Sequence, residues 1–494
     1  MDNINHFRIN IRVSGDPGEG YVLYWMQIHR RLQYNYALDH AVAWSNRLKR
    51  PLVILEGLAC DYPWATARTS VFILEGMAEH YRQLVQDKTI TYIPYPEHQP
   101  GTYKQLVMDL CQHAAMLISD EYPVYLMRER NEQLENKLTI PFHTVDSNGI
   151  IPMALSKKAP YSAYIFRRMM QETFMECWAR PPLENPLQAL QDFGIPDLPE
   201  QVRSKRSEGC ERLKSTGVLS AFVRSIETLD HSIRPVARSG TRTAALATLA
   251  NFVANDLLAY GEERNNPDSE RTSRLSPWLH MGKLSVFEVV ENVLSMQPED
   301  WDISQVRPKQ GKRSGFFGGS ASVEAYLDQV ITWRETGFHF AWNRPDYDQF
   351  ESLPGWALET LSDHADDPRD HLYHYEELAA SKTHDPIWNA AQTQLREVGH
   401  IHGYLRMLWG KKVLEWTPDP QTALSYLIDL NNSYALDGRD PNSYSGIFWI
   451  FGRFDRAWGP ERPVFGKVRY MSSNSARKKL ALDHYLQRYS GSGA

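Results

Sequence analysis

The chain predicts an α/β N-terminal domain on a Rossmann-like parallel sheet, followed by an all-α domain. Three observations carry this. Over residues 20–153, apolar runs of four to seven residues alternate with amphipathic segments of helical length, the rhythm of parallel strands joined by crossover helices. Past about residue 215 the pattern is helical almost throughout. A length of 494 residues also exceeds what one hydrophobic core can organise, so at least two domains are expected.

Taken in order, the run SGDPGEG (14–20) precedes a strand instead of following one, so it is a loop and not a dinucleotide fingerprint. YVLYWM (21–26), PLVILEG (51–57), TITYI (89–93) and MLISD (116–120) read as buried strands, with helices at 29–48, 68–86 and 101–114 between them. A Pro-rich stretch over 180–199 then breaks the rhythm. The expected organisation is an α/β domain over 1–185, a linker over 186–215 and a helical domain over 216–494. Turn signals punctuate the last of these at NNPDS (265–269), KQGKRSGFFGGS (309–320) and LDGRDPNSYSG (436–446). No repeat of solenoid period is present.

Composition excludes several classes. With 23% charged residues and no run of 18 apolar residues, no membrane span is expected. The first 20 residues lack a basic segment followed by an apolar one, so a cytoplasmic protein is expected. Four scattered cysteines form no CxxC pair, and His400 and His402 lack nearby Cys or clustered carboxylates. No metal site is expected, and those histidines fit a helix surface or a supporting role better than ligation. Redox chemistry would need an organic cofactor. A net charge of −6 gives no global case for nucleic-acid binding, which must rest on local basic clusters. Arg307, Lys309, Lys312 and Arg313 form one, Arg203, Lys205 and Arg206 a second, and Arg477, Lys478 and Lys479 a third; each also fits an ordinary solvated face.

Ten of the fourteen tryptophans lie between Trp278 and Trp458. Trp409 and Trp416 are seven residues apart, so on one helix they share a face at roughly 10 Å, while Trp388 lies upstream on a separate helix. That is electron-hopping distance. Spacing alone also fits tryptophan as a filler of helical cores.

The motifs ERTSRLSPWLHMG (270–282), ITWRE (331–335), KTHDPIWNAAQ (382–392), GHIHGYLRMLWGKKVLEW (399–416), LDGRDPNSYSG and FDRAWG (454–459) occur in this order. With them the chain resembles the photolyase/cryptochrome family, specifically class II cyclobutane pyrimidine dimer photolyases. YWMQIHRRLQYNYAL (24–38) extends the match more weakly into the N-terminal half. The resemblance implies an N-terminal antenna domain and a helical C-terminal domain that binds FAD in a U-shaped conformation, active as FADH⁻. It implies cofactor contacts from Tyr260, Thr272, Ser273, Leu275, Ser276, Arg334, Arg406, Asn431, Asp437 and Asp440. Thr272, Ser273 and Ser276 would offer hydroxyls and N–H groups to phosphate at a helix start, although the same residues fit an N-cap cluster. Arg406 and Asp437 would pair beside the flavin ring, and Asn431 would face its N5 atom.

Of the tryptophans, the resemblance implies Trp409 proximal to the flavin, Trp388 in the middle and Trp416 exposed. Substrate contacts are implied for Arg264, Gln329, Trp333, Met407 and Trp449, with the two indoles holding the flipped pyrimidines between them. The partner implied is UV-damaged DNA containing pyrimidine dimers, bound by a monomer.

Three departures stand out. Gln329 occupies the position, four residues before Trp333 and so on the same helical face, where the family generally carries glutamate. An amide always has N–H donors but cannot give up a proton, so altered yield is expected instead of lost repair. A basic, Gly- and Phe-containing insertion covers 297–320. His29 stands where related chains carry Asp after the first strand, leaving an antenna such as 8-hydroxydeazaflavin undecided. The expected function is a light-dependent deoxyribodipyrimidine photo-lyase, a carbon–carbon lyase. The alternative is a non-repairing cryptochrome-type blue-light receptor, which the short tail GSGA after the last helix disfavours.

Overall fold

The computed structural model describes residues 4–490, and the GSGA tail lies outside them. Six strands form one sheet: β1 (Ile9–Val13), β2 (Tyr21–Met26), β3 (Leu52–Leu58), β4 (Ile90–Pro96), β5 (Ala114–Asp120) and β6 (Phe142–Val145), in the order β1-β6-β5-β2-β3-β4. The pairs β2/β3, β3/β4, β2/β5 and β5/β6 are parallel, and β1 closes the edge antiparallel to β6. The four strands with continuous apolar runs are those read from the sequence, since strands covered on both faces are apolar on both. Strands β1 and β6 escaped that reading. β1 is only half-buried and β6 is four residues long, so neither carries a strong apolar run.

The strand order reverses between β2 and β5, the point at which doubly wound sheets accept phosphates. Here a side chain fills that place. Asp120, at the end of β5, accepts the backbone N–H groups of Gln27, Ile28 and His29 at 2.8, 2.8 and 2.9 Å and the Tyr24 hydroxyl at 2.8 Å. This ties residues 27–29 into a loop, which is why the first helix runs from Tyr36 to Leu48, capped by Asn35, and not from residue 29. His29 is buried in that loop. A cavity of about 270 Å³, lined by Trp25, Ala59, Glu97, Tyr103 and Arg130 among others, opens at the C-terminal ends of β2, β3 and β4.

The chain divides into two compact units. One holds the residues up to 157 together with 173–250 and 275–292; the other holds 158–172, 251–274 and the residues from 293 onward. The stretch read as a linker contains the helix Glu200–Leu213, which packs on β4 so closely that a Cβ on Gly209 would lie 1.8 Å from the Pro94 carbonyl oxygen. Among the described residues no helix is long and apolar enough to cross a membrane.

The first unit is organised around a fully buried carboxylate. Glu56 on β3 accepts from Arg30 at 3.1 Å, from the Tyr92 hydroxyl at 2.7 Å and pairs with His80 Nδ1 at 2.8 Å, with Lys283 Nζ at 3.8 Å. Burial by itself would raise its pKa; His80, Lys283 and Arg30 more than reverse that and hold it well below the usual carboxylate range. Burial pushes the Lys283 ammonium down to about 8. Because the folded-state pKa of Glu56 is depressed, its contribution to stability is complete above the ordinary carboxylate pKa and fades only as pH falls through the folded value. Glu56→Gln is expected to cost about 3–5 kcal/mol, because it strands buried cations without a counter-charge. Equilibrium urea unfolding of the variant measures this, and a change below about 1 kcal/mol would contradict the assignment.

In the second unit, three helices begin with Asp-Pro: Pro386–Val398, Pro420–Tyr434 and Pro441–Ile450. Each Asp carboxylate caps free N–H groups while each Pro occupies a position where no N–H is needed. The helix Gly403–Trp416 crosses the last of these at Gly410, where a Cβ would lie 1.9 Å from Ile450 Cδ1. Two helical stretches carry π turns, at Phe252–Asp256 and Asp328–Trp333.

Candidate active site

The three tryptophans singled out by spacing are all buried in one core, exposed by 0% (Trp388), 2% (Trp409) and 3% (Trp416). Trp388 joins the other two. Its Nε1 donates to the Trp409 carbonyl oxygen at 2.9 Å, and its ring meets that of Trp416 edge to face at 5.8 Å. Trp409 in turn donates from Nε1 to Gln392 Oε1 at 2.9 Å. The polar tips of two of these indoles are thus fixed by hydrogen bonds, and their rings are locked by packing.

Trp416 was expected to be exposed and is not. Tyr373 packs on it at 5.5 Å and His384 at 5.1 Å, and Lys412 Nζ sits 5.5 Å from its ring centre. The Tyr373 N–H donates to the Trp416 carbonyl oxygen at 3.0 Å, pinning this cover in place. His384 donates its backbone N–H to the Tyr373 hydroxyl oxygen at 3.0 Å, and that hydroxyl lies 2.7 Å from His384 Nδ1, within hydrogen-bond distance. His384 is itself exposed and stacks on His371 at 3.7 Å. Burial, then the neighbouring His371, lowers its pKa, so it is neutral near pH 7 and able to accept. Sequence reasoning missed Tyr373 and His384 as partners of Trp416, because the contact is made by folding and has no local spacing.

The polar group implied for the cofactor is assembled in part. Arg406 and Asp437 lie 3.5 Å apart, with Asp437 buried. Asn431 is buried near the end of its helix, its Nδ2 donating to Asn432 Oδ1 at 3.2 Å. Asp440 is a helix N-cap that accepts from the Asn442 N–H at 2.8 Å, which gives it a structural task as well. Arg334 is buried with its guanidinium 4.3 Å from the Phe338 ring centre. Tyr260 is buried against Tyr326 at 5.1 Å. Leu275 is buried and Ser276 exposed at the start of a helix of only five residues, Ser276–His280, which receives no side-chain cap. Thr272, Ser273 and Ser276 are therefore not the N-cap cluster their types also suggested.

His402 is not on a helix surface either. It is buried at the N-cap position of Gly403–Trp416, and burial pushes its pKa down to about 4.

Of the residues implied for substrate, Trp333, Trp449, Gln329, Met407 and Arg264 are all half-buried. Trp333 and Trp449 stack face to face, centroids 4.7 Å apart and planes 14° from parallel. This corrects the expectation of two indoles standing apart, because two apolar ring faces bury each other and leave no slot between them. Arg264 reaches the Ala325 carbonyl oxygen at 3.4 Å and lies 5.5 Å from the Tyr260 ring centre. Gln329 sits within the π turn Asp328–Trp333, where the Arg334 N–H donates to the Gln329 carbonyl oxygen. The fifth-residue pairing widens the turn, so Gln329 and Trp333 are not related by the α-helical offset assumed from their spacing.

No family model matches the chain. The deoxyribodipyrimidine photo-lyase of Methanothermobacter thermautotrophicus is 32% identical to it over 472 residues, covering 95% of each. The protein of that name from Arabidopsis thaliana is 31% identical over 485 residues, covering 95% of this chain and 89% of that relative. Among solved structures, a bacterial class III photolyase from Agrobacterium tumefaciens superposes with a TM-score of 0.64 over 97% of this chain and 88% of its own, at 15% identity. That similarity speaks for the fold.

Proposed function

The chain belongs to the deoxyribodipyrimidine photo-lyase family, and from that premise we propose that it is an FAD-dependent enzyme of class II type that splits cyclobutane pyrimidine dimers in DNA. Light-dependent DNA repair is its function, and no observation favours the receptor alternative. The observation that carries the mechanistic reading is the packed sequence Trp409, Trp388, Trp416, leading to Tyr373 and His384. The class II assignment is supported by the motifs between 270 and 459 and by their order.

The residues present fit a flavin dinucleotide. Asn431 offers a buried amide, Arg406 a cation balanced by Asp437, and Thr272, Ser273 and Ser276 hydroxyls that cap no helix. FAD held there, once reduced and excited by blue light, would supply the one electron that opens the cyclobutane ring and would take it back.

The chain's own residues have separable tasks. Arg406 holds positive charge beside the site, favouring an anionic reduced ring, and Asn431 can donate or accept as that ring changes protonation. The relay carries an electron inward from Tyr373 and Trp416 through Trp388 to Trp409, while His384 holds the phenolic proton released as Tyr373 is oxidised. Trp333 and Trp449 form a flat apolar wall for bases turned out of the duplex, which is cheap for a dimer that stacks poorly. Gln329 donates its amide N–H to a dimer carbonyl oxygen. In the sheet unit, the cavity at the ends of β2, β3 and β4 is suited by position to a second chromophore.

Blue-light irradiation of a thymine-dimer oligonucleotide with reduced protein, beside a dark control, tests this reading. Thymine should be restored only in the light. Gln329→Glu is expected to change the yield per photon without abolishing repair; absence of repair in both proteins despite bound FAD would refute the lyase.

A further inference from the structure

The insertion over 297–320 is an ordered element, not a loose loop. Glu324 accepts the N–H groups of Gly315, Phe316 and Phe317 at 2.7, 2.7 and 3.1 Å. Gln171 accepts those of Lys309 and Gly311 at 3.0 and 2.8 Å and donates to the Lys312 carbonyl oxygen at 2.9 Å. Gln297 and Trp301 bond its far end, and Phe316 and Phe317 are buried beneath it.

This construction turns the cations outward. Arg307, Lys309 and Lys312 are exposed, and the Arg313 side chain is 60% exposed. Residues 303–320 contain no acid, and among the described residues the Lys309 and Lys312 ammonium groups form no ion pair. Of the nearby carboxylates, Glu324 is engaged by the loop, Glu172 by Arg168 and Asp302 by the Ser304 N–H, while Glu299 and Asp300 are exposed at the N-terminal end of the insertion, outside the basic stretch.

Beside the cations lie exposed aromatics. Tyr161 and Tyr164 are 59% and 54% exposed, with Ile165 next to them, and Tyr164 approaches Gly311 so closely that a Cβ there would lie 3.0 Å from its ring. The element also docks on the chain next to Gln329. Buried Asp328 receives Arg167 at 2.9 Å and Arg313 at 3.4 Å.

We propose that residues 303–320, together with Tyr161 and Tyr164, form a second DNA-binding surface that grips backbone phosphates flanking the lesion. A polyanion complements a cationic edge on a protein whose net charge is −6, and phenol rings beside lysines suit sugar and base faces. Sequence-independent phosphate contacts add affinity and leave lesion choice to the indole wall. The inference rests on the reading that the lesion lies at Trp333 and Trp449.

The test compares a thymine-dimer dinucleotide with a long duplex carrying one dimer. Lys309→Ala/Lys312→Ala removes side chains only, because main-chain groups of Lys309 and Lys312 are what hold the loop. It should weaken duplex binding and lower the slope of log affinity against log salt by about 2, while dinucleotide repair is unchanged. Tyr161→Ser/Tyr164→Ser should weaken duplex binding without changing that slope. An unaltered slope in the lysine variant, with dinucleotide repair intact, would overturn the surface. Failure of the unaltered protein to repair the dinucleotide would overturn the lesion reading, and this inference with it.

Discussion

Trp409→Phe is expected to abolish light-driven reduction of the protein while leaving repair by chemically reduced protein nearly intact. The ring is 2% exposed and its indole N–H is fixed on Gln392, so no other aromatic can move into its place. Phenylalanine keeps most of the apolar contact but is far harder to oxidise. The link to Trp388 runs through the Trp409 carbonyl, a backbone atom, and survives the substitution. Gln392 loses its partner, at a stability cost of about 1–3 kcal/mol. The measurement is bleaching of the oxidised flavin band under blue light with an external reductant, followed by repair after dithionite reduction. Loss of both activities would show that Trp409 holds the cofactor and is not chiefly a relay. Retention of photoreduction would remove it from the path.

Trp333→Ala is expected to weaken binding of dimer-containing DNA by about 1–3 kcal/mol, the worth of one base–aromatic stack, with little effect on undamaged DNA. The effect is sharpened by the pair geometry. Removing one member of a stack at 4.7 Å also releases Trp449 from its partner, so the wall loses a face and its rigidity together. Both rings are half-buried, and the fold should lose less than a fully buried tryptophan would cost. Competition binding with damaged and undamaged duplexes measures this. Equal losses on both would mean that the residue supports the fold, and unchanged affinity would take it out of the site.

The local signals proved legible where local physics is sufficient. Strands β2, β3, β4 and β5 are apolar on both faces because helices cover them, and so their runs could be read directly. The starts of the late helices lie at Asp-Pro pairs whose caps need only neighbouring residues, a local signal that the reading of LDGRDPNSYSG as a turn passed over, since a helix begins there at Pro441. The motif order between 270 and 459 was enough to point to the family, and the relatives place the chain in it.

What the sequence by itself determined is therefore the parallel sheet, the helical second half and the family, and it singled out three tryptophans that the fold packs into one core. Tertiary structure alone decided that Trp416 is covered, because Tyr373 and His384 reach it through chain folding. It decided that Trp333 and Trp449 meet, since they come from different helices, and that a π turn sets Gln329. It also decided that Asp120 fills the place of a phosphate and that Glu56 gathers Arg30, His80 and Lys283. Each of these depends on groups distant in the chain being brought within bonding distance. Periodicity, which records only which face of one element is apolar, carries no information about such encounters.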